Sequence, residues 1–244
     1  MLHNIDNLLS KLRRKAPNDP FMNLRKLFYF PIVLWLVLQL GCAWFQTKEE
    51  KTARELAEEG AEAFKDKDYG KAIESFEKLK DWYPFSQYSI LAELKLGDAH
   101  YHLKEYEEAI FAYEEFENLH PKNEAVPYVV YQIGRCYFDR LYSIDRDQTM
   151  AREALQAFER LIHTYPASSY ATKAKEHITV CNRNLAEHEF YVGMFYYKTK
   201  HYKAALERFN TVLRSYTDIG VHRKALEYIP LCQDGIDNSV RGKN

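Results

Sequence analysis

The sequence predicts an all-α fold, a solenoid of stacked helix pairs with about four repeats and a partial fifth. A set of marker residues recurs at an interval of 37 positions, and self-similarity at such a period is typical of a solenoid. Between the markers, apolar residues recur at three and four positions, as on one face of a helix, and no run alternates as a strand would. One helix pair cannot bury its apolar face alone, so neighbouring pairs are expected to stabilise each other.

The first two repeats, residues 53–86 and 90–122, carry the same five markers. They are a mid-helix glycine, a tyrosine beside the turn, an alanine and an aromatic residue on the second helix, and a final proline: Gly60, Tyr69, Ala72, Phe76 and Pro84, then Gly97, Tyr106, Ala109, Tyr113 and Pro121. Glycine and alanine are expected where a larger side chain would block the partner helix, and proline ends a helix because it lacks the N–H. This marker set is that of a tetratricopeptide helix pair.

The later repeats keep the markers but change the spacing. In the third repeat, residues 127–167, the gap from Gly134 to Ala154 is eight residues longer than in the first two, which predicts an insertion at about residues 139–150. The fourth repeat, residues 169–218, is predicted to begin with one long helix. A partial fifth repeat, residues 220–232, completes a solenoid expected over residues 52–232, and a disordered polar tail, residues 233–244, is expected after it.

Residues 22–41 are predicted to be an export signal. Arg25 and Lys26 precede an apolar run from Leu27 to Leu38, which is shorter than the roughly 20 residues of a transmembrane helix but suits a signal peptide. Residues 1–21 are interpreted as an upstream extension. Met22 is the hypothesised true start, and Met1 is the alternative.

Cys42 follows this signal directly, after Gly41. A small residue before a cysteine at this place resembles the cleavage site of bacterial lipoproteins, although Gln39 and Leu40 depart from the usual pattern. Cys42 is therefore predicted to be lipidated and to begin a tether over residues 42–51. An uncleaved anchor and an ordinary cleaved signal are the alternatives.

Composition and motifs argue against several classes of function. The formal net charge is −1, which argues against a nucleic-acid-binding protein. His188-Glu189 lacks the second histidine of a zinc protease motif, and no phosphate-binding loop or nucleophile elbow occurs. The remaining cysteines have no metal-binding spacing and are interpreted as buried apolar residues: Cys136, Cys181 and Cys232. We expect no enzyme, cofactor or metal, and a protein-binding surface is the default for a solenoid.

Five segments occur in a specific order along the repeats. They are Tyr83-Pro84-Phe85-Ser86 with Tyr88, Phe116 with Leu119-His120-Pro121, Arg146-Asp147-Gln148 before Ala151-Arg152, Tyr165-Pro166 with Ser168-Ser169-Tyr170-Ala171, and Asn182 to Glu189 before Tyr191-Val192. Through these segments the chain resembles the BamD family, the lipoproteins of the β-barrel assembly machinery in the outer membrane of Gram-negative bacteria. The family shares the insertion before the third segment and the long helix that carries the fifth.

The resemblance implies a non-enzymatic scaffold on the periplasmic face of the outer membrane, anchored by its lipid. It implies binding to the POTRA domains of the barrel protein BamA and to other lipoproteins of the machinery, and recruitment of unfolded outer-membrane proteins. Ala43 follows Cys42, at the position where an aspartate would retain a lipoprotein at the inner membrane, so the outer membrane is implied. In the family, the amino-terminal repeats face these client proteins and the carboxy-terminal repeats meet the partner.

The same resemblance implies candidate contact residues. The candidates for client contact are Tyr83, Pro84, Phe85, Ser86 and Tyr88. The structural alternative for this segment is a helix-stopping turn packed by aromatic rings. Arg208 corresponds by position to a family arginine that faces the barrel partner, and its alternative is an ordinary solvated arginine.

Two other functions stay open on the residues alone. A different periplasmic tetratricopeptide lipoprotein, one that coordinates cell-wall or cell-division complexes, would share the signal and the repeats. An enzyme would need a cluster of catalytic side chains that the sequence does not reveal. The chain also departs from the family at its end, because the fifth repeat is short.

Overall fold

The structure, a computed structural model, describes residues 50–218 and 220–241. This part of the chain forms nine helices and no strand, so the all-α prediction is confirmed. The helices are α1 Ala53–Lys65, α2 Tyr69–Trp82, α3 Ser89–Leu103, α4 Tyr106–Leu119, α5 Val126–Phe138, α6 Thr149–Thr164, α7 Ser169–Lys198, α8 Tyr202–Ser215 and α9 His222–Arg241. The predicted extension, signal peptide and lipidated Cys42 lie outside the described residues. No helix in the described part has the length and hydropathy that spanning a bilayer requires.

The helices stack in chain order. Each packs mainly on the helix before it and the helix after it, and short turns join the two helices of a pair, so successive helices run antiparallel. Consequently α2, α4 and α6 end on one side of the stack, where α1, α3, α5 and α7 begin, whereas the shorter α8 runs back along only the carboxy-terminal half of α7. We call this side the junction edge and the opposite side the turn edge.

Side chains close to the helix ends satisfy free backbone groups. The Thr52 hydroxyl accepts a hydrogen bond from the Glu55 N–H at 3.3 Å, and the Glu55 carboxylate accepts one from the Thr52 N–H at 2.8 Å. This reciprocal pair is a capping box, and it fixes where α1 begins. Asp68 and Ser168 accept hydrogen bonds from the first turns of α2 and α7.

Three turns that join the two helices of a pair share a backbone feature that the sequence analysis did not predict. Lys67, Lys104 and Lys200 have φ values of 64°, 63° and 61°, in the left-handed region that few residues other than glycine adopt. Each precedes the marker tyrosine of its repeat by two positions. A recurring Lys-x-Tyr was therefore the available sequence signal for this turn.

The buried apolar residues form three clusters along the stack. The first cluster joins α1, α2 and α3 through Leu56, Ala63, Ala72, Phe76, Leu79, Ala92 and Leu96. The second cluster, the largest, spans α4 to α7 and includes Tyr113, Phe116, Val129, Phe158, Leu161 and Cys181. The third cluster joins α7, α8 and α9 through Ala186, Ala205, Phe209, Val212, Val221, Ala225 and Cys232.

The carboxy-terminal helix differs from the expectation. The fifth repeat was expected to end at residue 232, but α9 continues to Arg241 and includes nine residues of the expected disordered tail. The reason is tertiary packing. A Cβ at Gly235 would lie 2.6 Å from the ring of Tyr202 on α8, so the two helices still touch beyond Cys232.

Candidate protein-binding site

The predicted client segment is the loop from α2 to α3 on the junction edge. The Ser86 N–H donates to the Tyr83 carbonyl at 2.9 Å, and the Ser89 N–H donates to the Ser86 carbonyl at 3.0 Å. The Ser86 hydroxyl oxygen also accepts a hydrogen bond from the Tyr88 N–H at 3.3 Å. These bonds hold the loop in one compact turn.

The five predicted client residues divide into two groups. Tyr83 and Tyr88 are half-buried against the first cluster, and the Tyr83 hydroxyl donates to the Lys51 carbonyl at 2.9 Å. Phe85 is fully exposed, with a relative accessibility of 101%, and Pro84 is exposed beside it. The tyrosines and Ser86 therefore shape the loop, while Phe85 and Pro84 are available for contact.

Arg208, the predicted partner contact, lies on α8 and is bound within the chain. Its Nη1 donates to both carboxylate oxygens of Glu189 on α7, at 2.9 and 3.2 Å. The Arg208 side chain is 42% exposed, whereas that of Glu189 is 16% exposed. The hydrogen bond to Glu189 raises the pKa of the guanidinium. Glu189 thus orients Arg208 and leaves part of the guanidinium open to solvent.

The structure does not bring these two candidate contacts together. The client loop packs on the first cluster, whereas Glu189 and Arg208 lie on the helices of the third cluster. The second cluster, with α4 to α6, lies between them in the stack. Two separate contacts are therefore available, one in the first repeat and one in the fourth.

A buried carboxylate, which sequence reasoning missed, lies beneath a groove between α3, α5 and α7. Asp98 is only 4% exposed and accepts hydrogen bonds from the Tyr113 hydroxyl at 2.8 Å and the Tyr128 hydroxyl at 2.6 Å. The Lys95 ammonium lies 2.7 Å from its other oxygen. Burial, and then the charge of Asp98, raise the pKa of both tyrosines, so both phenols stay protonated donors. The sequence signal for this buried carboxylate was an acidic residue next to the marker Gly97.

The groove above Asp98 is a cavity of about 400 Å³. The rings of Tyr128 and Tyr170 lie 5.4 Å apart on its wall, and Lys95 lies beside them. Both Asp98 oxygens are already bonded, so the carboxylate positions Tyr128 instead of offering a free charge. The cavity can hold an apolar or aromatic side chain of a bound segment.

The described residues offer little for covalent chemistry. They contain no group of three histidine, cysteine, aspartate or glutamate side chains arranged to hold a metal ion. Burial raises the pKa of the Cys136 and Cys181 thiols to about 12, so these thiols stay protonated at neutral pH.

The chain is similar to several known proteins. Residues 49–232 match the model of the YfiO family, which is described as a family of outer membrane lipoproteins. The chain is 32% identical over 178 residues to the outer membrane protein assembly factor BamD of Caulobacter vibrioides, covering 71% of this chain and 58% of that protein. It is 32% identical over 197 residues to the factor of the same name from Rickettsia prowazekii, covering 80% of this chain and 78% of that protein.

A solved structure is also similar to this chain. A tetratricopeptide repeat protein from Parabacteroides merdae is 17% identical, with a TM-score of 0.39, over 78% of this chain and 63% of that one. The chain spans less than two thirds of the Caulobacter relative and more than two thirds of the Rickettsia relative. With the family match over most of its length, the chain belongs to the YfiO family of outer membrane lipoproteins, which is the family of the BamD assembly factors it resembles.

Proposed function

We propose that this chain is a non-enzymatic scaffold that assists the assembly of outer-membrane proteins. In this role it binds the POTRA domains of BamA and other lipoproteins of the machinery, and it recruits unfolded outer-membrane proteins. The observation that carries the proposal is the family match over residues 49–232, together with relatives named as outer membrane protein assembly factors. Stacked helix pairs with separate exposed contacts suit a scaffold.

The proposal includes anchoring at the periplasmic face of the outer membrane through Cys42. An acylated mature protein is expected to have the mass of a chain that begins at Cys42 plus its acyl groups. Cys42→Ser should abolish the incorporation of labelled palmitate into the protein. Undiminished labelling of the Cys42→Ser protein would contradict this anchor.

For client recruitment, we propose that Phe85 and Pro84 contact unfolded outer-membrane proteins, held in place by Tyr83, Ser86 and Tyr88. The support is the full exposure of Phe85 on a loop with defined hydrogen bonds. A loop backbone that is already held in one turn loses little entropy on binding, and an exposed aromatic ring on it suits the role of an anchor. The groove beside Tyr128 and Tyr170 offers a second place for an aromatic side chain of the same segment.

A photo-crosslinking amino acid at position 85, in living cells, tests the client contact. Position 103 is the matched control, because Leu103 is also an exposed apolar residue but lies at the turn edge. We expect unfolded outer-membrane proteins to be captured from position 85 and not from position 103. Equal capture at both positions, or capture of only folded periplasmic proteins at 85, would contradict the proposal.

For the barrel partner, we propose that Arg208 supplies a charged contact to BamA. Arg208→Glu should weaken co-purification of BamA, but it also breaks the pair with Glu189. A charge swap, Glu189→Arg with Arg208→Glu, restores the internal pair and keeps the reversed charge at position 208. If Arg208 contacts the partner, the swap should bind as poorly as the single variant. Recovery of BamA by the swap would show that Arg208 acts only inside this chain. Co-purification of a cell-wall complex in place of BamA would support the alternative function, a lipoprotein that coordinates cell-wall or cell-division complexes.

A further inference from the structure

Large apolar side chains are exposed on the junction edge of the first two repeats. Trp82, the last residue of α2, is 52% exposed, and Leu119, the last residue of α4, is 57% exposed. Ile90 and Leu91, in the first turn of α3, are also exposed. We call these four residues the apolar edge. Phe85 lies on the same side, but its proposed occupant is a client.

The apolar edge is confined to the amino-terminal half of the stack. Trp82 and Leu119 occupy equivalent positions, since each follows the aromatic marker of its second helix by six residues. The residues at this position in the third and fourth repeats are Thr164 and Ser215, which end α6 and α8. The apolar character is therefore a property of two repeats and not of the repeat in general.

The same edge is where the chain enters the solenoid. The hydrogen bond from the Tyr83 hydroxyl to the Lys51 carbonyl, at 2.9 Å, fixes residue 51 beside the end of α2. Nine peptide links separate Lys51 from Cys42. An extended chain covers at most about 3.6 Å per residue, so this tether reaches roughly 30 Å. A lipid on Cys42 would keep Lys51, and with it the end of α2, within that distance of the bilayer.

We infer that the apolar edge rests in the headgroup region of the membrane that carries the Cys42 lipid. Tryptophan is suited to this region because its ring is apolar and its N–H can bond to water or headgroups. The apolar edge would be a second membrane contact beside the acyl chains, and the combination of two contacts fixes an orientation that a flexible tether alone does not. The inference rests on the proposed lipidation of Cys42. It places the client loop at the membrane surface, where clients are to be inserted.

The occupant is a bilayer and not a second protein because of where the apolar edge lies. Its residues surround the point at which the tether arrives, and they disappear in the repeats that lie farther along the stack. A second copy would give no reason for that gradient, whereas distance from an anchored tether does. Clients are proposed to bind in the same repeats, so the test below contains none.

Quenching of single tryptophans by brominated lipids tests the inference on the full chain reconstituted in vesicles without clients or partners. The mature chain has two tryptophans, Trp44 and Trp82, so Trp44→Phe leaves only Trp82. In the same background, Trp82→Phe is combined with Leu119→Trp, Thr164→Trp or Leu103→Trp. The first new tryptophan lies on the apolar edge, the second on the junction edge of the third repeat, and the third on the turn edge.

For Trp82 and for the Leu119→Trp variant, we expect less fluorescence with brominated lipid than with plain lipid. We also expect vesicles to shift the emission maximum of both proteins to the blue. The other two variants should show neither change. No loss at Trp82, or an equal loss at all four positions, would overturn the inference. A blue shift of Trp82 that depends on protein concentration and not on lipid would overturn it in favour of a second copy. Mass analysis of the same sample separates the two proposals. If the chain is acylated and Trp82 is not quenched, only the membrane contact of the apolar edge is contradicted. If the chain is not acylated and Trp82 is not quenched, the lipid anchor is contradicted too.

Discussion

Gly60 shows how one absent side chain sets the distance between two helices. A Cβ at this position would lie 2.5 Å from the ring of Phe76, closer than two carbon atoms can approach without movement. Phe76 is 1% exposed, so the ring has no room to withdraw. The marker glycines of the next repeats meet Tyr113, Phe158 and Phe209 in the same way. The marker glycine and the marker aromatic residue are therefore one contact, repeated along the stack.

Gly60→Ala is expected to lower the free energy of unfolding by about 1–3 kcal/mol, as overpacking of a filled core does. Gly70→Ala is the matched control in the same repeat, because a Cβ there would meet nothing within 4 Å. Alanine in a helix is favoured over glycine, so the control is expected to be neutral or stabilising by up to about 1 kcal/mol. Urea denaturation of the two variants measures both values, and similar values for both would contradict the role given to Gly60.

His177 on α7 lies among aromatic rings of the second cluster. Its ring is stacked 5.0 Å from that of Phe158 and lies 4.4 Å from that of Phe138, and its Nε2 is 3.0 Å from the Tyr131 hydroxyl. Burial, and then the positive charge of Arg135, lower the pKa of His177 below 6.5, against the smaller opposite effects of Asp139 and Glu176. The neutral imidazole is the form that the folded protein favours.

Stability should therefore fall in mild acid. Because the folded pKa of His177 is below the unfolded value, the unfolded state binds more protons as the pH falls below 6.5. The stabilising contribution is present in full above the unfolded pKa and is lost as the pH falls through the folded pKa. In urea denaturation at pH 7.5 and 5.5, His177→Gln should lose less stability on acidification than the unchanged protein. His163→Gln, at an exposed position on α6, is the control, and the same acid sensitivity in all three proteins would contradict the prediction.

At the scale of elements, the inserted turn of the third repeat is fixed to the long helix α7. The Asn184 Nδ2 donates to the Tyr142 carbonyl at 3.1 Å, and the His188 Nδ1 donates to the Ile144 carbonyl at 2.6 Å. Residues 184 and 188 are one helical turn apart, so the inserted chain runs along one face of α7. The extra length of α7 and the insertion therefore belong to one packing arrangement.

Removing one of these bonds should loosen the insertion without unfolding the solenoid. Asn184→Ala is expected to cost about 0.5–1.5 kcal/mol, the usual net value of one hydrogen bond. Amide hydrogen exchange should become faster in residues 140–147, while exchange in α1 to α4 stays the same. Arg183→Ala, at the exposed neighbouring position, is the control. Unchanged exchange in the insertion would show that other contacts hold it.

At the scale of the whole molecule, stability is expected to be modular. The three apolar clusters follow one another along the chain, and each helix packs mainly on its neighbours in sequence. In such a stack, the energy is approximately a sum of repeats and their interfaces. Damage at one end is therefore expected to stay near that end.

Phe209→Ala should remove a fully buried ring from the third cluster and destabilise it by about 3–5 kcal/mol. Hydrogen exchange is expected to become faster in α8 and α9 and to stay unchanged in α1 and α2. Phe76→Ala, in the first cluster, should give the opposite distribution. Uniform loss of protection in either variant would mean that the described solenoid unfolds as one cooperative unit.

Sequence alone determined the helical class, the repeat and the need for a glycine where a side chain would block the partner helix. These follow from sterics within one helix pair, and the constant interval of 37 positions repeats the same pair. The family resemblance through segments such as Tyr83-Pro84-Phe85-Ser86 was also readable, since it depends on residues that are close together in the chain.

Tertiary structure alone decided which residues are available for contact. The loop that carries Phe85 is joined to Lys51 through Tyr83, Arg208 is oriented because Glu189 lies on the neighbouring helix, and α9 extends because Gly235 still meets Tyr202. Each of these depends on residues separated by 19 or more positions in the chain. Such contacts have no local pattern, since the physical reason for each lies in the partner that folding brings beside it.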